Sequence, residues 1–243
     1  MGKGTERTVA LRRTNQHVEI LKKLKSLSNP RAVAGMVRFG INPNHAFGVS
    51  IPNLRKIARE IGANHLLARK LWRSGNHEAR ILAGMVDNPE MVDEPQMENW
   101  VKDFDSWDVC DQCCSNLFDK TRFAYQKAKE WSSRSEEFVK RAGFVLMAAL
   151  AVHDKKADEK EFEKFLSIIR KGSSDNRNFV RKAVNWALRQ IGKRSLHLNR
   201  KAIEAAERIH ETDSKSARWI ASDALRELTS EAVQRRLEGK MDA

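Results

Sequence analysis

Proline, tyrosine, cysteine and long apolar runs are scarce in this chain of 243 residues. All five prolines lie within the first 95 residues, so helices in the rest of the chain must be ended by other signals. The longest apolar stretch, residues 142–152, is too short to span a bilayer and is typical of a buried helix. The first residues lack the apolar segment of a secretory signal, and Glu6 breaks the myristoylation pattern. We therefore expect no membrane contact and a cytoplasmic protein.

The three cysteines, Cys110, Cys113 and Cys114, crowd one predicted helix. Adjacent helical turns do not favour disulfide geometry, and no second ligand pair has the spacing of a zinc site. We interpret them as buried core thiols in a reducing compartment. Glycine-rich phosphate loops and the Gly-x-Ser-x-Gly motif are also missing. The sequence therefore predicts neither a metal site nor a cofactor.

Charge of one sign is in excess. Lysine and arginine number 45 against 32 for aspartate and glutamate, which gives a net charge of +13 and an isoelectric point near 9.9. Such an excess indicates an anionic partner, most often nucleic acid and less often an acidic membrane surface. The alternative is a basic protein with no such partner.

Helical periodicity begins near Gln16 and continues to the end of the chain, with no convincing alternation of the strand type. Helix-start signals predict a dozen or more short helices. They lie at Ser50–Pro52, Asn64–His65, Asn76–His77, Glu94–Pro95, Asp105–Ser106, Ser133–Ser135, Asp158, Asp175–Asn178, Ser195, Asp213–Ser214 and Thr229–Ser230. We expect a flexible basic arm over residues 1–15 and a single domain over residues 16–243.

Two short sequence patterns recur within the chain and indicate a repeat. The pattern of residues 138–142 recurs at 179–183, an offset of 41, and that of 187–189 recurs at 224–226, an offset of 37. Periods near forty in an all-helical chain are typical of HEAT and armadillo arrays. The predicted fold is therefore all-α, an α-solenoid of HEAT-like repeats. Solenoids with capped ends are often monomeric, and we expect a monomer.

The stretch 104–114 contains the first candidate functional residues. Trp107 and Asp111 are four residues apart near the start of a predicted helix, so they share one face with Cys114. A carboxylate among apolar neighbours is costly unless it has a partner or a function. We interpret Trp107 and Asp111 as functional, although Trp219 and Asp223 repeat the same spacing.

The helix predicted near residues 178–192 contains the second candidate. Lys182, Trp186, Arg189 and Lys193 share a face that is separate from its apolar stripe. A tryptophan among cations suits a phosphodiester partner, because the cations neutralise phosphates and the ring packs on a sugar or base. The alternative is a tryptophan packed against a neighbouring repeat.

Lys140 and Arg141 occupy the same place in the preceding repeat. Arg141 opens a helix that is otherwise apolar almost all round, and a buried helix keeps one charge when that charge has a fixed partner. A phosphate or Asp111 would serve as that partner. The alternative is an arginine that extends to solvent.

Together these residues resemble the HEAT-like-repeat DNA alkylation repair family, the AlkD-type alkylpurine DNA glycosylases. The matching pieces are Trp107-Asp108-x-x-Asp111, the helix with Lys140 and Arg141, and the helix with Trp186, in that order. The resemblance covers residues 16–230 and implies a concave basic cleft around double-stranded DNA that contains alkylated purines. It also implies a nucleoid-associated protein.

The resemblance assigns a role to each candidate. Asp111 would be the catalytic carboxylate, Trp107 and Trp186 the aromatic walls against the deoxyribose, and Arg141 a backbone or catalytic-site contact. We expect Lys140, Lys182, Arg189 and Lys193 to bind DNA. The implied reaction is hydrolysis of the N-glycosidic bond of an N3- or N7-alkylated purine, without lyase activity.

One position departs from the family pattern. Its enzymes carry an aromatic residue, often tyrosine, near the start of the second repeat, whereas the only tyrosine here is Tyr125. Met36 or Phe39 falls near that position. Family members without the full set of site residues are thought to bind DNA without excising bases. Two further interpretations therefore stay open: a non-catalytic protein that binds damaged or branched DNA, and a protein–protein scaffold.

Overall fold

The computed structural model describes the backbone of residues 3–239 and the side chains of residues 15–239. This part of the chain is helical and contains no strand, so the predicted all-α class is confirmed. The predicted arm over residues 1–15 falls almost entirely on residues whose side chains lie outside the described part, and it stays a prediction. No helix within the described residues is both long enough and apolar enough to cross a membrane.

The chain divides into two compact units, Met1–Trp100 and Val101–Ala243, so the single domain over residues 16–243 also stays a prediction. The helices of the N-terminal unit are α1 (Lys3–Ser26), α2 (Pro30–Met36), α3 (Ile51–Ile61), α4 (His65–Arg73), α5 (His77–Val86) and α6 (Glu94–Lys102), whose last residues pass the boundary. Short 3₁₀ turns lie at Val37–Phe39 and Pro89–Met91.

Asparagine caps set several helix starts in the N-terminal unit. The side chains of Asn29, Asn64 and Asn76 accept hydrogen bonds from backbone N–H groups at the starts of α2, α4 and α5. Such caps satisfy donors that have no partner within the helix, which explains why short polar residues predict these starts correctly.

The irregular segment between α2 and α3 is held by a buried carboxylate. Glu78, on α5, is 1% exposed and accepts hydrogen bonds from the backbone N–H groups of Phe47, Gly48 and Val49 at 2.6–3.2 Å. At Gly48 φ is 75°, and a Cβ atom there would lie 2.5 Å from the carbonyl oxygen of Asn29. Only glycine fits this close approach, so the loop has one well-defined path.

The C-terminal unit contains the remaining helices. They are α7 (Trp107–Asn116), α8 (Ala124–Trp131), α9 (Glu137–His153), α10 (Glu159–Gly172), α11 (Asn178–Gly192), α12 (Leu196–His210), α13 (Lys215–Leu228) and α14 (Glu231–Glu238), with a 3₁₀ turn at Phe118–Lys120. In one row, α7 packs on α9, α9 on α11 and α11 on α13. In a second row, α10 packs on α12 and α12 on α14.

The helix starts reproduce the offsets that the sequence suggests. From α9 to α11 the first residues are 41 apart, and from α11 to α13 they are 37 apart. Equivalent residues of successive repeats therefore lie on neighbouring helices of the first row. The predicted site residues lie on helices of this row, apart from Lys193, which directly follows α11.

Candidate functional site

Helix α7 positions Trp107 and Asp111. Ser106 precedes the helix in an extended conformation, although its buried hydroxyl makes no capping hydrogen bond. Trp107 is the first residue of α7 and is half-buried, and Asp111 follows one turn later on the same face. The Asp111 side chain is 15% exposed.

Arg141 of α9 holds Asp111 with two hydrogen bonds. Arg141 Nε donates to Asp111 Oδ1 at 2.9 Å, and Nη2 donates to Oδ2 at 2.8 Å. The arginine side chain is only 6% exposed and α9 is otherwise buried along most of its length. This paired arrangement is the strong geometry for a guanidinium and an ionised carboxylate. Of the alternatives for Arg141, which were a phosphate, Asp111 and solvent, the structure shows Asp111 as its partner.

Arg141 also connects two further groups. Its Nη1 donates to the carbonyl oxygen of Phe179, at the start of α11, at 2.5 Å. Its guanidinium carbon lies 6.0 Å from the ring centroid of Trp107, within the range of a cation–π contact. One side chain thus fixes Trp107 and Asp111 on α7 against α9 and α11. We call Trp107, Asp111 and Arg141 the carboxylate cluster.

Burial and charge oppose each other in the carboxylate cluster. Burial raises the pKa of Asp111, while the charge and hydrogen bonds of Arg141 act against that rise, and the nearby Asp108 adds to it. The Asp111 carboxylate in turn raises the pKa of Arg141 against the effect of burial, so the guanidinium stays charged. Both oxygens of Asp111 accept from this cation, an arrangement that favours the ionised carboxylate.

Helix α11 shows the two faces that the sequence predicts. Its apolar stripe is buried, comprising Val180, Ala183, Val184, Ala187 and Ile191. Trp186 is half-buried and Lys182 is exposed on the other face. Because α11 packs on α9, Trp186 belongs to the helix next to the one that carries Arg141.

Three of the four predicted DNA-binding cations are engaged by carboxylates. Arg189 Nη1 lies 2.6 Å from a Glu227 oxygen, and Lys193 Nζ lies 2.6 Å from the other oxygen of Glu227. Lys140 pairs with Asp175 at 3.0 Å. Among the described residues, Lys182 alone of the four forms no ion pair. These ion pairs partly neutralise the positive charge of the predicted DNA-binding residues within the protein. The sequence pattern does not predict them.

The cysteines of α7 are buried thiols. Cys110 and Cys114 lie 3.8 and 3.9 Å from carbonyl oxygens of α9, at the range of weak S–H hydrogen bonds. Burial raises the pKa of the Cys114 thiol. Such thiols are unreactive, in agreement with their interpretation as core residues.

Tyr125 is a core residue of α8. Its ring stacks on Phe165 with centroids 5.8 Å apart, and its hydroxyl donates to Asp154 at 3.0 Å. Of the two candidates for the missing family tyrosine, Phe39 is 68% exposed in the N-terminal unit and Met36 is half-buried there.

Comparison with known proteins identifies the relationships of the chain. The sequence pattern of the DNA alkylation repair enzyme family matches residues 20–228. An uncharacterized protein of Listeria monocytogenes, Lmo0209, is 25% identical over 191 residues, which cover 77% of this chain and 83% of that protein.

A solved structure has the same fold. It is described as a member of a new family related to the HEAT-like repeat DNA glycosylases, with affinity for branched DNA structures. Its TM-score with this chain is 0.75 at 20% identity, over 90% of this chain and 94% of that chain. This match confirms the predicted HEAT-like repeat fold.

Proposed function

This chain belongs to the DNA alkylation repair enzyme family, and we propose that its carboxylate cluster hydrolyses the N-glycosidic bond of N3- or N7-alkylated purines in double-stranded DNA. The observation that carries the proposal is the state of Asp111. Its side chain is 15% exposed, and both of its oxygens accept hydrogen bonds from Arg141, which favour the ionised form against burial, in a chain of net charge +13. An anion kept at such a place in a basic protein is suited to a cationic reaction centre rather than to a phosphate.

The chemistry requires stabilisation of positive charge on the sugar. An alkylated purine of this type is already cationic, so it leaves with the electron pair of its bond to C1′ without being protonated first. The deoxyribose then carries positive charge over C1′ and O4′, which the Asp111 carboxylate stabilises. Each carboxylate oxygen keeps a further lone pair beside its bond from Arg141. With it Asp111 orients a water, which bonds to C1′ and transfers a proton to the Asp111 carboxylate, from which solvent takes it up.

The tryptophans would complete the surroundings of the sugar. The face of an aromatic ring carries negative charge density, which favours the polarised C–H groups of a developing sugar cation. We assign Trp107, which Arg141 holds next to Asp111, to one wall and Trp186 of α11 to another. Lys140, the residue beside Arg141, is held by Asp175 rather than directed at the cluster. We accordingly propose a monofunctional glycosylase with no lyase step.

DNA binding would use the first row of helices, α7, α9, α11 and α13, as the basic cleft that the family resemblance implies. The exposed Lys182 would bind a phosphate directly. Lys140, Arg189 and Lys193 are held by carboxylates, so they would contribute mainly through the positive potential of this surface.

The experiment that tests the function is release of 7-methylguanine and 3-methyladenine from methylated duplex DNA. We expect the wild type to release both bases. The Asp111→Asn variant should lose about 10²-fold or more of the rate, as when one preorganised charge-stabilising group is removed from an active site. Asp213→Asn, which changes an exposed aspartate at the start of α13, is the matched control and should behave as the wild type.

DNA binding measured on the same three proteins separates the main alternative. A non-catalytic protein that recognises damaged or branched DNA is favoured by the affinity of the structural relative for branched DNA and by the missing family tyrosine. Tight, salt-sensitive binding with no base release from the wild type would establish that alternative and exclude the glycosylase.

A further inference from the structure

Helix α13 carries a second tryptophan–carboxylate pair with the spacing of Trp107 and Asp111. Trp219 and Asp223 are four residues apart and face α11. The guanidinium carbon of Arg181, on α11, lies 5.0 Å from the ring centroid of Trp219. The arrangement repeats the first cluster, in which Arg141 covers Trp107 from a neighbouring helix.

The two clusters differ in what they leave accessible. Asp223 accepts from Asn185 Nδ2 at 2.7 Å and from Arg226, and it lies 3.5 Å from Arg189. Its oxygens are therefore occupied by protein groups from two helices. Trp219, in contrast, is 38% exposed and ranks among the few large apolar side chains on the surface of the described residues. In the pair on α13 the tryptophan ring is the group accessible to solvent, whereas the carboxylate cluster is built around Asp111.

Three buried polar atoms of α11, one of them in the arginine that contacts this ring, have no hydrogen-bond partner among the described residues. They are Arg181 Nε, Asn185 Oδ1 and Arg189 Nε, at successive turns of one face. Asn185 is only 3% exposed. Buried donors without acceptors are costly, so a movement of Arg181 toward an external acceptor recovers free energy. A phosphate oxygen is such an acceptor for a guanidinium.

Arg181 Nη2 donates to Asn178 Oδ1 at 3.4 Å, but its Nε has no acceptor among the described residues. An aromatic ring beside such an arginine fits a nucleotide, with the base on the ring and the phosphate on the cation. In an intact duplex every base is already stacked on its neighbours, so only an unpaired base gains by stacking on a protein ring. We propose that Trp219 and Arg181 form a stacking platform for an unpaired base, at a single-stranded tail or branch next to the bound duplex. The proposal rests on the proposed function only in that the ligand is DNA.

The test compares binding of a blunt duplex with binding of the same duplex carrying a short single-stranded tail. We expect the wild type to bind the tailed DNA about 5- to 100-fold more tightly, the usual range for one stacked base. Trp219→Ala should remove this preference and leave affinity for the blunt duplex unchanged, and Trp219→Phe should restore most of it. Arg181→Ala, which leaves the Trp219 ring in place, should also reduce the preference for tailed DNA.

Two controls match these changes. Arg218→Ala removes an exposed cation of α13 that pairs with Asp213, and Leu66→Ala removes an exposed apolar side chain elsewhere. Neither should alter the preference for tailed DNA. Equal binding of blunt and tailed DNA by the wild type, or a preference that persists in Trp219→Ala, would overturn the platform.

The same samples separate this inference from the proposed glycosylase. Absence of base release with the tail preference intact would overturn the glycosylase alone. Base release with no effect of Trp219→Ala on the tail preference would overturn the platform alone.

Discussion

Arg141 makes three of its hydrogen bonds inside the protein, two to Asp111 and one to the carbonyl oxygen of Phe179. A guanidinium has five N–H donors in a fixed plane, so this pattern sets its position from two sides. Arg141 therefore holds Asp111 in place within the protein, and its contact with DNA stays a prediction. A lysine, with a single ammonium group, would not reproduce both bonds to the carboxylate.

Replacement of Arg141 by methionine keeps an unbranched apolar stem and removes the guanidinium with its charge. Asp111 is then left largely buried without its cation, and breaking such a pair costs about 3–5 kcal/mol of the free energy of unfolding. Urea denaturation measures this loss. Arg134→Met, which disrupts an exposed pair with Glu136, is the control and should change the stability far less. Equal stabilities of the two variants would contradict the role given to the buried pair.

The sequence predicts the pairing of Trp107 with Asp111 on one face because helical spacing alone determines it. It leaves the partner of Arg141 open between Asp111 and a phosphate, since that choice depends on how α7 packs against α9. The Phe179 carbonyl has no signal at all in the sequence, because every residue carries such an acceptor.

At the scale of single elements, α11 shows where pattern analysis is incomplete. Its two faces follow from periodicity and are found in the structure. The acidic partners of its cations, however, lie on the next helix of the row, with Glu227 38 residues after Arg189. The repeat period near forty contains this information, and pairing opposite charges at that offset would have located Glu227.

Glu227 neutralises part of the positive charge at the end of α11. Burial acts to raise the pKa of Glu227, but hydrogen bonds and charges of Lys193 and Arg189 outweigh burial and lower it, so the residue is ionised at neutral pH. We expect Glu227→Gln to release Lys193 for a phosphate contact, since Arg189 keeps a second carboxylate in Asp223. The variant should bind DNA more tightly, and one added contact should steepen the slope of log affinity against log salt by about 0.9.

Titration of DNA binding over a series of salt concentrations measures this slope. Glu207→Gln changes the net charge equally on an exposed position of α12 and is the matched control. A slope that changes equally in both variants would show that Glu227 has no special relation to the DNA.

Helix starts are predictable where a side chain makes the cap. Asn64, Asp158 and Ser195 accept hydrogen bonds from the first turns of α4, α10 and α12. Helix α8 begins after Phe123 with no side-chain hydrogen bond at its cap, and no capping residue in the sequence predicts its start. Helices α3, α7 and α14 also lack a side-chain cap hydrogen bond, but a serine precedes each of them and predicts the start. The start of α8 has no such residue and depends on packing.

At the scale of the whole molecule, the helical class and the repeat follow from composition and periodicity. A chain with no proline after residue 95 and with a period near forty has few other ways to bury its apolar faces. The net charge of +13 is a property of the whole chain and indicates an anionic partner, but it does not identify which cations face that partner. The ion pairs between α11 and α13 show why, because each of them neutralises a cation that could otherwise bind the anionic partner.

The most direct test of the central claim, that Asp111 acts as an ionised carboxylate, is the pH dependence of single-turnover release of 7-methylguanine with protein in excess. Burial raises the pKa of Asp111, so the carboxylate should protonate at a higher pH than an ordinary aspartate as the solution is made acidic. After subtraction of release without protein, the wild-type rate should fall with decreasing pH through this range. The rate of Asp111→Asn should be low and independent of pH. A wild-type rate that does not change with pH, or an Asp111→Asn variant as fast as the wild type, would contradict the account.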